Sequence, residues 1–520
     1  MKLKNILLIF TTNLPCFSVY SVAKNTFFYT LSNQLTMKGF AMSISRRFFL
    51  KTSALASMAV ATPLLVPKSA FGANETVTIG IVGLGIRGAG EQLPRFAKLP
   101  NVKVVAMADP DRERTDAAIK KLEENFGQKA DGYADMRKIF ERKDVDAIGN
   151  ATMNYWHGLG TIWACEAGKH VYCEKPLSHF IWEGQQIVKA AEKYNRIVQC
   201  GTQNRSRQST RDIMEYIQSG NIGKIKYITA FANKPRTSVG KRTEPLPIPA
   251  NVDYDLWCGP AQDGPVYRDR LQYDCSFTWN MGDGESANQG VHEIDIARWV
   301  LGINELPRRV ISLGGRFLWN DAADVPNTQI IYYDYPEAPI LYEVHNLREN
   351  KDPKSNAANT LGFGVGIIIH CEAGKAFISY GDAIVYDTEN KKAASWSTPE
   401  THFENFIDAI RSGRKEDLNS DALVGHISTT ICNAGNVSYR LGKPASVSEQ
   451  KAAIADVPLF GEMHERYLQH IAQHDINPNT TVLGPWLTCD PVNECFMDNA
   501  EANKIVRGRY RSPYLVKEIV

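Results

Sequence analysis

The stretch Thr76–Gly88, TVTIGIVGLGIRG, decides the fold. Up to Leu84 it is a run of buried-strand character, and Gly83-Leu84-Gly85-Ile86-Arg87-Gly88 completes a G-x-G-x-x-G turn where that strand ends. Gly83 and Gly85 permit a tight turn and a close backbone approach to a pyrophosphate. Gly88 lets the following helix pack on the strand, and the helix N-terminus attracts the anion. A second run, Val102–Ala108 (VKVVAMA), ends at Asp109, where a carboxylate can bind both hydroxyls of a ribose. Strand, turn, helix, strand and acid in that order predict a dinucleotide fold. Asp109 would repel a 2′-phosphate, which argues for NAD, while Arg87 and Arg112 leave NADP open. Pro94, inside the expected first helix, predicts a late or irregular start.

Downstream the alternation continues. Residues 111–126 read as an amphipathic helix stopped by Gly127, 145–151 as a strand, 155–167 as a helix, 178–194 as a helix and 196–201 as a strand. This predicts a doubly wound parallel (Rossmann) sheet. Between two of those helices lies GKHVYCEKP, residues 168–176, whose short strand delivers Glu174, Lys175 and Pro176 to its C-terminal end, where open α/β sheets bind ligands. An ammonium held there can orient or deprotonate a substrate hydroxyl. Asn154, His157 and Gln203 also fall at strand C-terminal ends, each within reach of a bound dinucleotide. For His157, a helix N-terminal residue bonded to backbone is an equally open reading.

With 520 residues, 43% hydrophobic and 22% charged, and a formal net charge of +2, the chain has room for two or three domains and offers no electrostatic case for nucleic acid. Upstream, Ser45-Arg46-Arg47-Phe48-Phe49-Leu50-Lys51 precedes a modest apolar run too short to span a membrane and then small residues up to Ala73. These read as a twin-arginine export signal over residues 1–73, with the true start at Met37 or Met42, delivering the protein to the periplasm or cell envelope. No membrane span is expected in the mature chain. Nine of the ten cysteines lie beyond the signal, without metal-ligand spacing, so free buried thiols and no metal are expected; Cys489 and Cys495 are the one near pair.

After Gly201 the pattern turns to β runs, 224–231, 308–317, 329–335, 340–346, 364–372 and 375–380, most without helices between them. They predict an α+β domain with a large open, mainly antiparallel sheet, one face of which can cover the dinucleotide domain or pair with another subunit in a dimer or tetramer. Residues 233–283 form a long loop rich in Pro, Trp, Tyr and Arg, including Trp279, suited to packing aromatic faces on sugar C–H surfaces. Asn288-Gln289-Gly290-Val291-His292 then opens a helix, with Asn288 and His292 on one face. The domains expected are 74–201 for the dinucleotide, 202–445 for substrate and oligomerisation, and 446–520 as an extension without an interpretable motif.

The glycine turn, Asp109, Asn154–His157 and above all AGKHVYCEKP resemble the glucose-fructose oxidoreductase / inositol dehydrogenase (Gfo/Idh/MocA) family, over about residues 76–445. The resemblance implies an NAD(P) oxidoreductase acting on sugars or cyclitols, with Lys175 in the site, Pro176 cis, and His292 as the catalytic histidine. Asp295 matches the pattern's second carboxylate and is given a structural role. Asn288 stands where most members have aspartate; an amide can orient His292 but not stabilise an imidazolium by charge, which shifts acid–base work toward Lys175. Arg205 and the 233–283 loop would hold the remaining substrate hydroxyls. Two other readings stay open: a glycosidase in which NAD oxidises the sugar transiently before elimination, and a cofactor-holding protein without turnover.

Overall fold

Five short, largely buried runs and one polar edge strand pair into one parallel sheet because crossover helices cover its faces. These are β1 (Val77–Val82), β2 (Val102–Ala108), β3 (Asp131–Tyr133), β4 (Ala147–Asn150), β5 (His170–Cys173) and β6 (Val198–Cys200), in the order β3-β2-β1-β4-β5-β6, every pair parallel. The order reverses between β1 and β4, the place where such sheets leave a crevice for a dinucleotide. The structure is a computed structural model describing residues 75–520; the expected export signal lies outside the described residues.

The crossovers are α1 (Leu93–Lys98), α2 (Arg112–Phe126), α3 (Arg137–Phe140), α4 (Asn154–Glu166) and α5 (Ile181–Lys193). The α2 helix starts at Asp111, whose side chain accepts from the Glu113 amide, and stops at left-handed Gly127. Pro94 sits at the second position of α1, preceded by a π-helical turn over Gly88–Gln92, so the irregular start expected from this proline is present.

A helix intervenes before the second sheet: α6 (Gln208–Gln218), then β7 (Ile225–Asn233), α7 (Tyr254–Cys258), α8 (Gly284–Asn288) and α9 (Gly290–Leu301). There follow β8 (Arg309–Gly315), β9 (Thr328–Asp334), β10 (Ile340–His345), β11 (Val365–Cys371), β12 (Gly374–Ile378), β13 (Asp382–Tyr386) and β14 (Lys392–Ser397). The chain then runs through α10 (His402–Ser412), α11 (Ala422–Leu441), β15 (Lys443–Pro444), α12 (Val447–Ala453), α13 (Pro458–Ala472), β16 (Val482–Leu483), β17 (Leu487–Asp490), β18 (Cys495–Phe496) and α14 (Ala500–Arg507). The sheet order is β14-β13-β12-β11-β7-β10-β9-β8-β16-β15, with β17 beside β8 and β18. The strands pair antiparallel except β7 with β10.

Strand alternation gives this sheet two faces. Ile228, Ala230, Ala232, Tyr342 and Val344 point inward to a core with Val291 and Ile294 of α9 and Ile431 of α11. The outer face, expected to be open, is covered at its β8–β9 end by the extension: Ile311, Leu313 and Tyr332 pack against Phe460, Met463, Tyr467 and Ile471 of α13. The C-terminal tail crosses back to the dinucleotide domain. Tyr514 meets the Trp156 ring at 5.4 Å, and the Ile519 amide donates to Gln186 at 2.8 Å. The nine described cysteines are free, Cys489 and Cys495 included. Among the described residues no helix is long and apolar enough to cross a membrane, and no three His, Cys, Asp or Glu side chains are grouped to hold a metal.

Candidate functional site

The glycine turn closes by contact. Gly83 has φ +80°, and a Cβ there would stand 2.5 Å from the Thr152 amide nitrogen; a Cβ on Gly88 would stand 1.8 Å from the Gly83 carbonyl oxygen. Gly85 is different. Its Cβ would meet nothing nearer than the Arg114 guanidinium at 3.6 Å, so the backbone is open to an approaching group. Asp109 ties this turn to β2: Oδ2 accepts from the Leu84 amide at 2.7 Å and Oδ1 from the Asp111 amide at 2.9 Å. Burial raises its pKa despite those bonds. An open glycine turn beside a carboxylate at the end of the second strand fits a dinucleotide.

Lys175 is presented by the turn after β5. The Lys175-Pro176 peptide is cis, and His157 braces it, with Nδ1 2.6 Å from the Pro176 carbonyl oxygen and Nε2 3.0 Å from that of Thr152. Both ring nitrogens are therefore taken up by backbone, which is the structural one of the two readings for His157, although the residue lines the cavity. The ammonium of Lys175 donates to the Asn288 carbonyl at 2.7 Å and to its side-chain oxygen at 3.4 Å. Burial and then the Arg87 charge lower its pKa to about 8, against the upward pull of Glu174 and Glu285. Glu174 is buried; one oxygen accepts from Gln92 at 3.4 Å and the other has no partner among the described residues.

The carbonyl that receives Lys175 is free because the expected helix is broken. Asn288 ends α8, Gln289 is the joint, and α9 begins at Gly290. This corrects the expectation that Asn288 stands over His292 and orients it. The Asn288 amide instead donates to the Tyr273 hydroxyl at 2.6 Å, and neither ring nitrogen of His292, a buried residue, has a partner among the described residues. Burial, Lys175, Arg87 and Lys234 together hold the His292 pKa well below its ordinary value, so the imidazole is neutral. Gln289 accepts from Lys234 at 3.0 Å and donates to Glu293 at 2.9 Å and to Tyr380 at 2.6 Å.

One cavity of about 390 Å³ is lined by Gly83, Gly85, Ile86, Arg87, Asp109, Asn154, His157, Glu174, Lys175, Asn288 and His292 together. Gly88 is not in its wall and acts through packing against Gly83. Three expected contacts are elsewhere. Gln203 donates to the Tyr172 hydroxyl at 3.0 Å and does not line the cavity. Arg205 is buried in an ion pair with Asp295, at 2.8 Å and 3.0 Å, and is not available to a substrate. Trp279 packs near Arg440, 5.1 Å from its ring, in a separate region. Asn154 faces the cavity, but its amide is bound to Asp283 at 3.0 Å. His402 and His426 are held by the Cys200 carbonyl and by Glu494, away from the cavity wall.

Sequence reasoning missed Arg114, Lys234, Gln272 and Tyr273, which also line the cavity. The last three belong to the loop marked as functional, but its composition did not say which side chains turn inward. Arg114 lies on the first turn of α2, two residues beyond Arg112, and donates to Gln272 at 2.9 Å. Strand end plus one helical turn was the signal that could have found it.

Two family models match the chain: an oxidoreductase family with an NAD-binding Rossmann fold over residues 77–202, and an oxidoreductase-family C-terminal α/β domain over residues 208–463. Among curated relatives, the inositol 2-dehydrogenase of Salmonella typhimurium is 33% identical over 150 residues, 28% of this chain and 43% of that protein. Glycosyl hydrolase family 109 protein 1 of Bacteroides thetaiotaomicron is 36% identical over 123 residues, 23% of this chain and 26% of that protein. The chain spans about half or less of the length of the curated relatives it matches. Among solved structures, the aldose-aldose oxidoreductase of Caulobacter crescentus complexed with glycerol aligns over 69% of this chain and 98% of its own, at 17% identity and a TM-score of 0.52, a likeness of fold.

Proposed function

The chain belongs to the Gfo/Idh/MocA family of oxidoreductases with an NAD-binding Rossmann fold, and from that premise we propose that it removes hydride from a secondary alcohol of a sugar, glycoside or cyclitol, using NAD. One observation carries this reading: Lys175, from the parallel-sheet half, and His292, from the large-sheet half, line the same cavity as the glycine turn and Asp109. The nicotinamide, when bound, supplies the hydride acceptor.

The remaining steps fall to this chain's side chains. Gly83, Gly85 and Asp109 hold the cofactor, and the Asp109 carboxylate disfavours a 2′-phosphate. In its neutral form Lys175 directs its two N–H donors at Asn288 and turns its lone pair to the substrate hydroxyl. With a pKa lowered to about 8, its neutral amine is the group best matched to take the hydroxyl proton. His292 stays neutral, its ring nitrogens without partners among the described residues, and positions the substrate by accepting from one hydroxyl and donating to another.

The test is a panel of sugars and cyclitols read at the nicotinamide absorbance with NAD and with NADP, after mass spectrometry of any cofactor released from the purified protein. NAD-dependent absorbance is expected, reduced by roughly 10²–10⁴-fold in Lys175→Ala. A panel without turnover, or a Lys175→Ala variant as fast as wild type, would remove the reading. Similarity to a glycosyl hydrolase family 109 protein favours a second reading, an NAD-dependent glycosidase working by transient oxidation and elimination. Release of aglycone with no net NADH selects it. The proposal includes export through Arg46-Arg47, so that changing both to lysine retains the protein in the cytoplasm, and assembly as a dimer or tetramer, read by sedimentation.

A further inference from the structure

The outer face of the large sheet carries a second hollow, of about 500 Å³, between β7, β10 and β11 and the flank of α13. Its floor follows from register. Thr229 of β7 lies between Leu341 of β10 and Ile368 of β11, and Asn233 lies beside His345. Next along β7, the ring of Tyr227 stacks on His370 at 4.1 Å, interplanar angle 14°. The roof is Leu459, Arg466 and His470 of α13 with the loop 358–361.

The polar groups of this hollow are underused by the chain. Glu343, 9% exposed, is held only by long ion pairs, 3.7 Å to His345 and 3.9 Å to Arg466. Asn233 is 4% exposed and its side-chain oxygen has no partner among the described residues; nor do Nδ1 of His345 and Nε2 of His470. A carboxylate that deep without a close donor is costly unless something else satisfies it. Burial lowers the pKa of His370 to about 4 and that of His470 to about 3, so both rings are neutral. Burial pushes the Glu343 carboxyl up, but His345 and Arg466 outweigh it and the group stays ionised. The buried acceptors are Glu343 and Asn233, and Glu343 with the exposed Glu462, beside Arg466 and two neutral imidazoles, leaves a field that disfavours an anion. It suits hydroxyl groups, with the Tyr227–His370 stack and the Leu341–Ile368 floor meeting their C–H faces.

We propose that this hollow is a binding site for a neutral polyhydroxylated ligand, a mono- or disaccharide or a cyclitol, separate from the dinucleotide cavity. Glu343 and Asn233 accept from its hydroxyls, and α13 is the wall that makes the pocket. The site stands whether or not the redox reading does.

Hydrogen–deuterium exchange on the full chain saturated with NAD, with and without glucose, maltose or myo-inositol, tests it. At least one of the three probes is expected to protect peptides from Ile340–His345 and Pro458–Ala472. In Glu343→Gln that protection should need roughly tenfold more ligand or more, with NAD affinity unchanged. Ile368→Trp, which fills the hollow, is the second variant should the first fail to fold, and it should abolish the protection. No protection by any probe, protection confined to Gly83–Gly88 and Gly284–Leu301, or protection indifferent to the variants overturns the proposal. So does ligand-independent protection that vanishes on dilution, which assigns the face to a second copy of the chain.

Discussion

Lys175 sits among charges that pull its proton in opposite directions, and the balance can be moved one side chain at a time. Burial, Arg87 and Lys234 disfavour the ammonium, whereas Glu174 and Glu285 favour it, leaving the pKa lowered to about 8. If the neutral amine takes the hydroxyl proton, the oxidation rate at saturating cofactor rises with pH through that value. Removing a neighbouring cation, Lys234→Gln, moves the rising limb to higher pH; removing a neighbouring anion, Glu174→Gln, moves it lower. Rate–pH profiles of the three proteins check both signs, and a limb that ignores both charges assigns the proton to another group. Arg205 poses a different question. Its pairing with Asp295, both buried, means that Arg205→Ala removes a charged donor from a carboxylate that keeps only Ser428 at 2.6 Å and Arg298 at 3.7 Å. The expected cost is about 1.5–3 kcal/mol in denaturant unfolding, with KM unchanged in whatever protein still folds. A raised KM at unchanged stability would restore the substrate-binding role that sequence suggested.

Two backbone elements set the cavity's shape. In the glycine turn, Gly88 is the third glycine of the motif and the one outside the cavity wall; with 1.8 Å from its would-be Cβ to the Gly83 carbonyl oxygen, a methyl group has no room. Gly88→Ala should therefore open the turn, costing about 1–3 kcal/mol of stability and weakening NAD binding together. Melting curves and cofactor titration check this; loss of one without the other separates packing from binding. At the second element, the joint at Gln289, the break between α8 and α9 frees the carbonyl that receives Lys175. The strand-turn-helix of the first element was legible in sequence because glycine spacing and strand hydrophobicity are local. The joint was not, since Asn288-Gln289-Gly290 reads as an unbroken helix entry; beside it Gly290 lies so close to β10 that a Cβ there would stand 2.6 Å from the Tyr342 hydroxyl, a contact between segments distant in sequence.

Over the whole molecule, the stretch after residue 445 is what distinguishes the described architecture from two bare domains. Its α13 roofs the outer sheet face, β16 and β17 lengthen the sheet at β8, and the tail returns to the first domain. Arg511 bonds Asp255 and the Gly259 carbonyl, and Tyr514 packs on Trp156, itself part of the cavity wall. Deleting residues 508–520 uncovers Tyr514's partners and removes the buried Val516 and Ile519. The expected loss is on the order of 5 kcal/mol, an upper figure from apolar burial. Differential scanning fluorimetry with and without NAD reads it, and weakened stabilisation by NAD in the truncated chain would show that the tail braces the cofactor cavity through Trp156.

By itself the sequence determined the parallel sheet, the glycine turn with Asp109 and the approximate strands of the second sheet, because periodicity and glycine spacing are written locally; that Lys175 and His292 share a site was only what the family resemblance implied. Only the tertiary structure decided that Arg205 is consumed by Asp295, that Asn288 answers to Tyr273 and Lys175 rather than to His292, and that Lys234 stands at the cavity. A polar side chain's role depends on which partner reaches it first, and those partners come from chain segments 15 to 113 residues away, a distance over which no local pattern records who will be neighbours.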